Sequence, residues 1–202
     1  MARKADSRDT VLRLAKQLGV VRPRDALQRG IHPEYLRRLA VEGSLIRTGR
    51  GLYILANAPL SVHHSLAEAC KRVPRGVVCL LSALRFHEIG TQNPAQVWLA
   101  IPRQDRVPRV GYPPLHVSRF SGPAMTEGIV EHHVDGVTVR VFSPAKTVVD
   151  CFRYRNRIGL DAALEALRDC RRLRKATSDD LWRYAAACRM TRVMKPYLEA
   201  TV

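Results

Sequence analysis

The chain of 202 residues is short of acids: 18 Asp and Glu stand against 34 Lys and Arg, a formal charge of +16. That shortage leaves the fold open but selects polyanions as partners, nucleic acid first and an anionic membrane surface second. Long apolar runs are missing as well. The longest, VVCLLSAL at 77–84, falls far short of the roughly 18 to 20 residues that a membrane-spanning helix requires. The opening MARKADSRDT has no apolar core of the kind a secretory signal carries. A cytoplasmic protein without a membrane partner is therefore expected. The five cysteines (Cys70, Cys79, Cys151, Cys170, Cys188) are odd in number, widely spaced and without a C-x-x-C pair. Buried free thiols are expected, rather than disulfides or a zinc site.

The signatures of catalysis are absent too. The chain contains no G-x-S-x-G, no P-loop and no Rossmann glycine pattern, and no carboxylates cluster near its strand-like segments. The reading is of a non-enzyme with no cofactor. His63-His64 and His132-His133 invite a metal, but adjacent residues on a strand point to opposite faces and no H-E-x-x-H spacing accompanies them, so no metal site is expected. Asp150 follows Lys146 by four residues, the spacing of a helix-surface ion pair.

What is present is ordinary globular composition, 46% apolar and 26% charged, in a chain long enough for one large or two small domains. In RDTVLRLAKQL (8–18), Val11, Leu14, Ala15 and Leu18 recur at helical spacing, and Gly19 closes the helix. Pro23 opens a second helix, PRDALQR. After the Gly30 turn, a third runs from Pro33 to Gly43 with Leu36, Leu39 and Ala40 on one face. SLIRT and GLYIL read as two strands around Thr48-Gly49-Arg50-Gly51. Helix, helix, turn, helix, hairpin is the layout of a winged helix-turn-helix.

Beyond Pro59, SVHHSLAEACKRV (61–73) reads as a linking helix. VVCLLSALRFHEIG fits a strand running into a helix, which periodicity alone does not settle. VWLAIP (97–102) and LHVSRF (115–120) read as strands, and IVEHHV and VTVRVF flank the hairpin signal Asp135-Gly136. Three helices are expected to finish the chain. Ser143-Pro144 launches the first, and Thr177 with Asp180 forms a capping-box-like start to the last. The expected fold class is α+β: a winged helix-turn-helix domain over residues 1–58, then a mixed α+β domain over 59–202 that ends in helices.

The first domain carries twelve Lys and Arg against five acids, a net of +7. With Leu36 and Leu39 turned to the core, His32, Tyr35, Arg37 and Arg38 lie where a recognition helix presents side chains to base edges. Arginine suits guanine because its fork matches the O6 and N7 acceptors. Arg22 and Arg24 are expected at phosphate, and Arg47 and Arg50 at phosphate or the minor groove beside the hairpin tip. In the second domain Arg168, Arg171, Arg172, Arg174 and Lys175 gather near a helix end. They form either a second basic surface or cations favoured by the helix dipole. Arg103, Arg106 and Arg109 in the loop RQDRVPRVGYPP carry a weaker suggestion of the same kind.

Two segments carry a family resemblance. The first is the stretch at 30–55, with GI, L-x-x-L, G-x-L-x-R and the RGLY ending. The second is FSPAKTVVDCFRYRNRIGLDAALEALRDC (142–170), preceded by PLHVSRF. Together they resemble the AbiEi-type antitoxins of abortive-infection, type IV toxin–antitoxin operons. The resemblance implies an N-terminal winged helix that binds inverted repeats in double-stranded DNA of its own promoter and represses it. It also implies a C-terminal domain that opposes a nucleotidyltransferase-like toxin without a stable complex. The rival reading is a winged-helix regulator whose second domain only dimerises or senses a ligand.

Overall fold

The computed structural model describes residues 2–58 and 61–200. The chain falls into two compact units, one formed by residues up to Arg72 with Val110–Pro113 and His133–Val139, the other by the remainder.

In the first unit α1 (Ala2–Leu18) is followed by α2 (Pro23–Leu27), α3 (Glu34–Val41), β1 (Leu45–Gly49), β2 (Leu52–Leu55) and α4 (His64–Arg72). The apolar stripe read from the sequence is the core: Val11, Leu14, Leu36, Leu39 and Leu45 are all buried in one cluster. Full burial of each such leucine contributes about 1.5–3 kcal/mol. β1 and β2 pair antiparallel, with a register shift between Arg47 and Gly49. Val21, between α1 and α2, adds a bridge to Tyr53, its N–H donating to the Tyr53 carbonyl at 2.8 Å. Helices and hairpin are thereby tied into the winged helix-turn-helix that the sequence order predicts.

Glycine is required where the end of α1 meets the turn at 135–136. A Cβ on Gly19 would lie 1.3 Å from the Asp135 carbonyl oxygen, and one on Gly136 would lie 2.6 Å from the Leu18 carbonyl carbon.

The second unit is built on a five-stranded sheet. Its elements are β3 (Val77–Val78), α5 (Leu80–Phe86), β4 (Val97–Pro102), β5 (Leu115–Phe120), α6 (Pro123–Thr126) and the parts of β6 (Ile129–Val134) and β7 (Val137–Phe142) outside residues 133–139. The strand order is β5-β4-β3-β7-β6. β4 runs parallel to β5 and antiparallel to β3, which in turn is parallel to β7. Asp135 and Gly136 both have positive φ, 47° and 72°, the backbone a tight hairpin turn requires. The ambiguous VVCLLSAL divides after two strand residues, and Cys79, in extended conformation, caps the helix that follows.

The helices after β7 are α7 (Pro144–Arg153), α8 (Arg155–Ile158), α9 (Leu160–Arg172), α10 (Ser178–Ala187) and α11 (Thr191–Ala200), more than the three expected. Tyr154 breaks the segment read as one helix, and α11 continues through Pro196, a residue that reads as a breaker in sequence. The Thr177–Asp180 box forms: Asp180 N–H donates to Thr177 Oγ1 at 3.1 Å and Thr177 N–H to Asp180 Oδ2 at 3.4 Å. Ser143 occupies its cap position, yet its hydroxyl makes no capping bond.

A larger correction concerns Lys146 and Asp150. They form an ion pair at 2.5 Å, but both side chains are fully buried rather than on a helix surface. The reason is that every residue of α7 from Ala145 to Phe152 is buried, so the helix has no wet face there. The lysine also donates to the Ala124 carbonyl at 3.0 Å and lies 4.2 Å from the Phe142 ring centroid. All five cysteines are buried free thiols.

Candidate nucleic-acid interface

The geometry of α3 begins before its first residue. Gly30 turns the chain with φ 70°, and the Ile31 N–H donates back to the Ala26 carbonyl at 3.1 Å. His32 Nδ1 accepts the otherwise unpaired Glu34 N–H at 3.3 Å, satisfying one of the orphan donors of the helix start. In the neutral ring the proton then sits on Nε2, an outward donor. Leu36 and Leu39 anchor the helix inward, which leaves Arg37 and Arg38 exposed on the opposite side. Tyr35 is half-buried and packs against the same core.

The two arginines are held by acids at the two ends of their helix, Glu34 in its first turn and Glu42 at its C-cap. Arg37 Nε lies 2.9 Å from Glu34 Oε1, and Arg38 Nε lies 3.3 Å from Glu42 Oε1. Both pairs are well exposed, and exposed pairs of this kind contribute only about 0–1 kcal/mol. They keep the guanidinium groups extended while leaving them free to exchange a carboxylate for a base edge or phosphate.

The wing adds Arg47 and Arg50, both exposed. Arg47 Nε donates to the Gly49 carbonyl at 3.3 Å across the bulge. From beneath, Arg72 Nη1 donates to the Arg50 carbonyl at 3.3 Å. Arg72 sits so close that a Cβ on Gly49 would lie 2.2 Å from its Nη2. Burial lowers the pKa of Arg72, and the Glu68 carboxylate partly restores it.

Arg22 and Arg24 differ from each other. Arg24 is exposed, its Nε 3.9 Å from Asp25 Oδ1. Arg22 is committed inside the unit: its guanidinium donates to the Lys71 carbonyl at 2.7 Å and lies 3.3 Å from Asp25 Oδ1. Lys71 Nζ completes the group at 3.5 Å from Asp25 Oδ2. Burial raises the Asp25 carboxyl, but the Arg22 backbone N–H and guanidinium together with Lys71 outweigh it and hold the carboxyl below its ordinary value. The buried Asp25 therefore ties the start of α2 to the end of α4.

The sequence reading did not single out Asp25, Lys71 or Arg72, nor the line His64, Glu68, Arg72 at four-residue spacing along α4. His64 Nδ1 meets Asp135 Oδ2 at 2.7 Å, and His64 Nε2 lies 3.6 Å from Glu68 Oε1. Glu68 is fully buried, and neither of its carboxylate oxygens has a hydrogen-bond partner among the described residues. An imidazole, a carboxylate and a guanidinium thus follow one another along one stripe of α4 to the underside of the wing. The i, i+4, i+8 spacing was the available signal.

In the second unit, Arg168, Arg172, Arg174 and Lys175 are exposed around the end of α9. Arg172 is paired with Asp169 at 2.9 Å, and Arg171 donates to the Leu198 carbonyl at 3.3 Å. Arg103, Arg106 and Arg109 are exposed in their loop. Among the described residues, no three His, Cys, Asp or Glu side chains converge as metal ligands. No described helix is long and apolar enough to cross a membrane.

The N-terminal helices and hairpin have the architecture of the winged helix-turn-helix class, with exposed arginines on its third helix and wing. Residues 9–56 match the family described as transcriptional regulator, AbiEi antitoxin. Among solved structures it is similar to a crystal structure of the RV2827C protein from Mycobacterium tuberculosis, with a TM-score of 0.56 and 17% identity over 83% of this chain and 66% of that one. The chain thus spans just under two thirds of that protein's length, and the likeness shows the fold alone. No curated protein matches the sequence.

Proposed function

We propose that residues 1–58 bind inverted repeats in the promoter of the chain's own operon and repress it. In this reading residues 59–202 carry the antitoxin function against a nucleotidyltransferase-like toxin, without a stable complex and in the cytoplasm. The supporting observation is the pair of arginines on the exposed face of α3, held only by weak intrahelical pairs, beside a wing that exposes two more. Arg37, Arg38 and His32 read bases. Arg24, Arg47 and Arg50 contact phosphate or the minor groove, and the Tyr35 hydroxyl adds a further contact. Arg22, held by Asp25 and Lys71, positions α2 against α4. The basic residues Arg168, Arg171, Arg172, Arg174 and Lys175 form a second polyanion surface on the other unit.

Fluorescence anisotropy with a duplex from the upstream promoter region, against a scrambled duplex, tests the reading. Tighter binding to the promoter duplex is expected. Neutralising six or more phosphates should lower affinity on the order of a thousand-fold between 50 and 200 mM salt. Equal affinity for both duplexes, or no dependence on salt, would sink it.

A further inference from the structure

A concave site in the second unit plays no part in this reading. A cleft of about 500 Å³ is lined by Ser121 to Ala124 at the start of α6, by Arg153 at the end of α7, and by Ala187 to Met190 at the end of α10. Its size is within the range of about 300–1,000 Å³ typical of small-molecule sites. Arg153 and Arg189 are distant in sequence, exposed and brought to the same concavity. Neither has a salt bridge or a side-chain hydrogen bond among the described residues, whereas Arg172 and Arg183 nearby in the chain each hold an aspartate.

No Asp or Glu lines the cleft. Asp150 is buried and paired with Lys146, and Glu127 is exposed. Lys146, matched by Asp150, braces the wall: its Nζ donates to the carbonyl of Ala124, a lining residue. Pro123, Ala124, Ala187 and Met190 make the rest of the lining largely apolar.

Arg189 is fixed by the turn that ends α10. Its N–H donates to the Ala186 carbonyl at 3.0 Å and the Met190 N–H to the Ala185 carbonyl at 2.7 Å. This leaves Arg189 at φ 58°, the left-handed position where glycine is favoured. Arg174 closes α9 in the same way, so the backbone alone assigns nothing. The convergence with Arg153 in one cleft does.

We propose that this cleft binds a small organic phosphate, its dianionic head held between Arg153 and Arg189 and its apolar body against Pro123 and Met190. Two guanidinium forks match the charge and the several oxygens of a phosphate monoester better than those of a single carboxylate. The proposal is independent of operator binding and would make the second unit a sensor of a small molecule.

The test titrates the full chain with phenyl phosphate by calorimetry, with phenol and benzoate as comparisons. Phenyl phosphate should bind at millimolar concentration or below, benzoate more weakly and phenol not measurably. Arg153→Gln should weaken phenyl phosphate about tenfold or more, the loss of one charge-assisted contact. Arg189→Gly should weaken it similarly while raising the melting temperature, since glycine relieves the left-handed strain. A merely structural arginine could not give that combination. No heat from the parent at millimolar phenyl phosphate, or unchanged affinity in both variants, overturns the proposal. If both variants instead lose duplex DNA affinity while the parent ignores phenyl phosphate, the arginines serve a polynucleotide and the proposal is equally overturned.

Discussion

Under the proposed reading, Arg38 and Arg50 separate the two tasks of a DNA-binding module. Arg38 lies on the exposed face of α3, so Arg38→Ala should relax the preference for promoter over scrambled duplex by the roughly 1–3 kcal/mol of a bidentate base contact. Arg50 lies at the wing tip, so Arg50→Ala should weaken both duplexes alike and reduce the salt slope by about one. Anisotropy titrations at several salt concentrations check both. An Arg38 variant that keeps the parental ratio of affinities would refute its assigned role. Residue identity and charge were legible at this scale, but the state of each arginine was not. Arg22 and Arg24 are two residues apart, yet one is locked to Asp25 and Lys71 while the other, only loosely paired with Asp25, faces solvent. Lys71 lies 46 residues beyond Asp25, and only folding brings them together.

At the scale of elements, the wing depends on α4. Arg72→Met removes the donor beneath the Arg50 carbonyl, and Gly49→Ala pushes the guanidinium away from it. Both variants should lower affinity for all duplexes several-fold without touching DNA, and both should speed amide exchange in the wing. Exchange as slow as in the parent would remove α4 from the account. Helix α7 gives a second expectation. Lys146→Met leaves Asp150 buried without its cation and should cost about 3–5 kcal/mol, whereas the paired change Lys146→Met with Asp150→Leu should recover much of that loss. Burial pushes the Asp150 carboxyl up to about 6 despite Lys146 and Arg153. The folded chain therefore holds a proton that the unfolded chain releases near 3.9. This contribution to stability is complete below that value and is lost as pH rises through about 6. Urea unfolding from pH 4 to 7 should show that decline in the parent and a flatter profile in Asp150→Asn.

Most elements were legible from periodicity and punctuation, because the stripes of α1 and α3 and the turn at Asp135-Gly136 are local signals. Failures came where an element is covered on all sides or interrupted by packing. The Lys146–Asp150 spacing is that of a surface pair, and only the neighbours around α7 make it a buried one. The break at Tyr154 and the helix through Pro196 likewise answer to tertiary context rather than propensity.

On the scale of the whole molecule, the proposed function places DNA binding and antitoxin action in different parts of the chain. The whole chain carrying Arg38→Ala and Arg50→Ala together should lose repression of a promoter reporter yet still rescue cells that express the neighbouring toxin from an unrelated promoter. Loss of rescue together with repression would tie the two activities to one surface. By itself the sequence determined the excess of positive charge, the order of helices and hairpin in the first 58 residues and the α+β class of the whole. Charge is additive, and amphipathic spacing is a local property. The tertiary structure alone decided which cations are free and which are spoken for: Arg22 inside, Arg38 outside, Arg72 beneath the wing, Arg153 and Arg189 at one cleft. Pairing depends on distance in space, and the chain brings residues tens of positions apart within a few ångströms of each other.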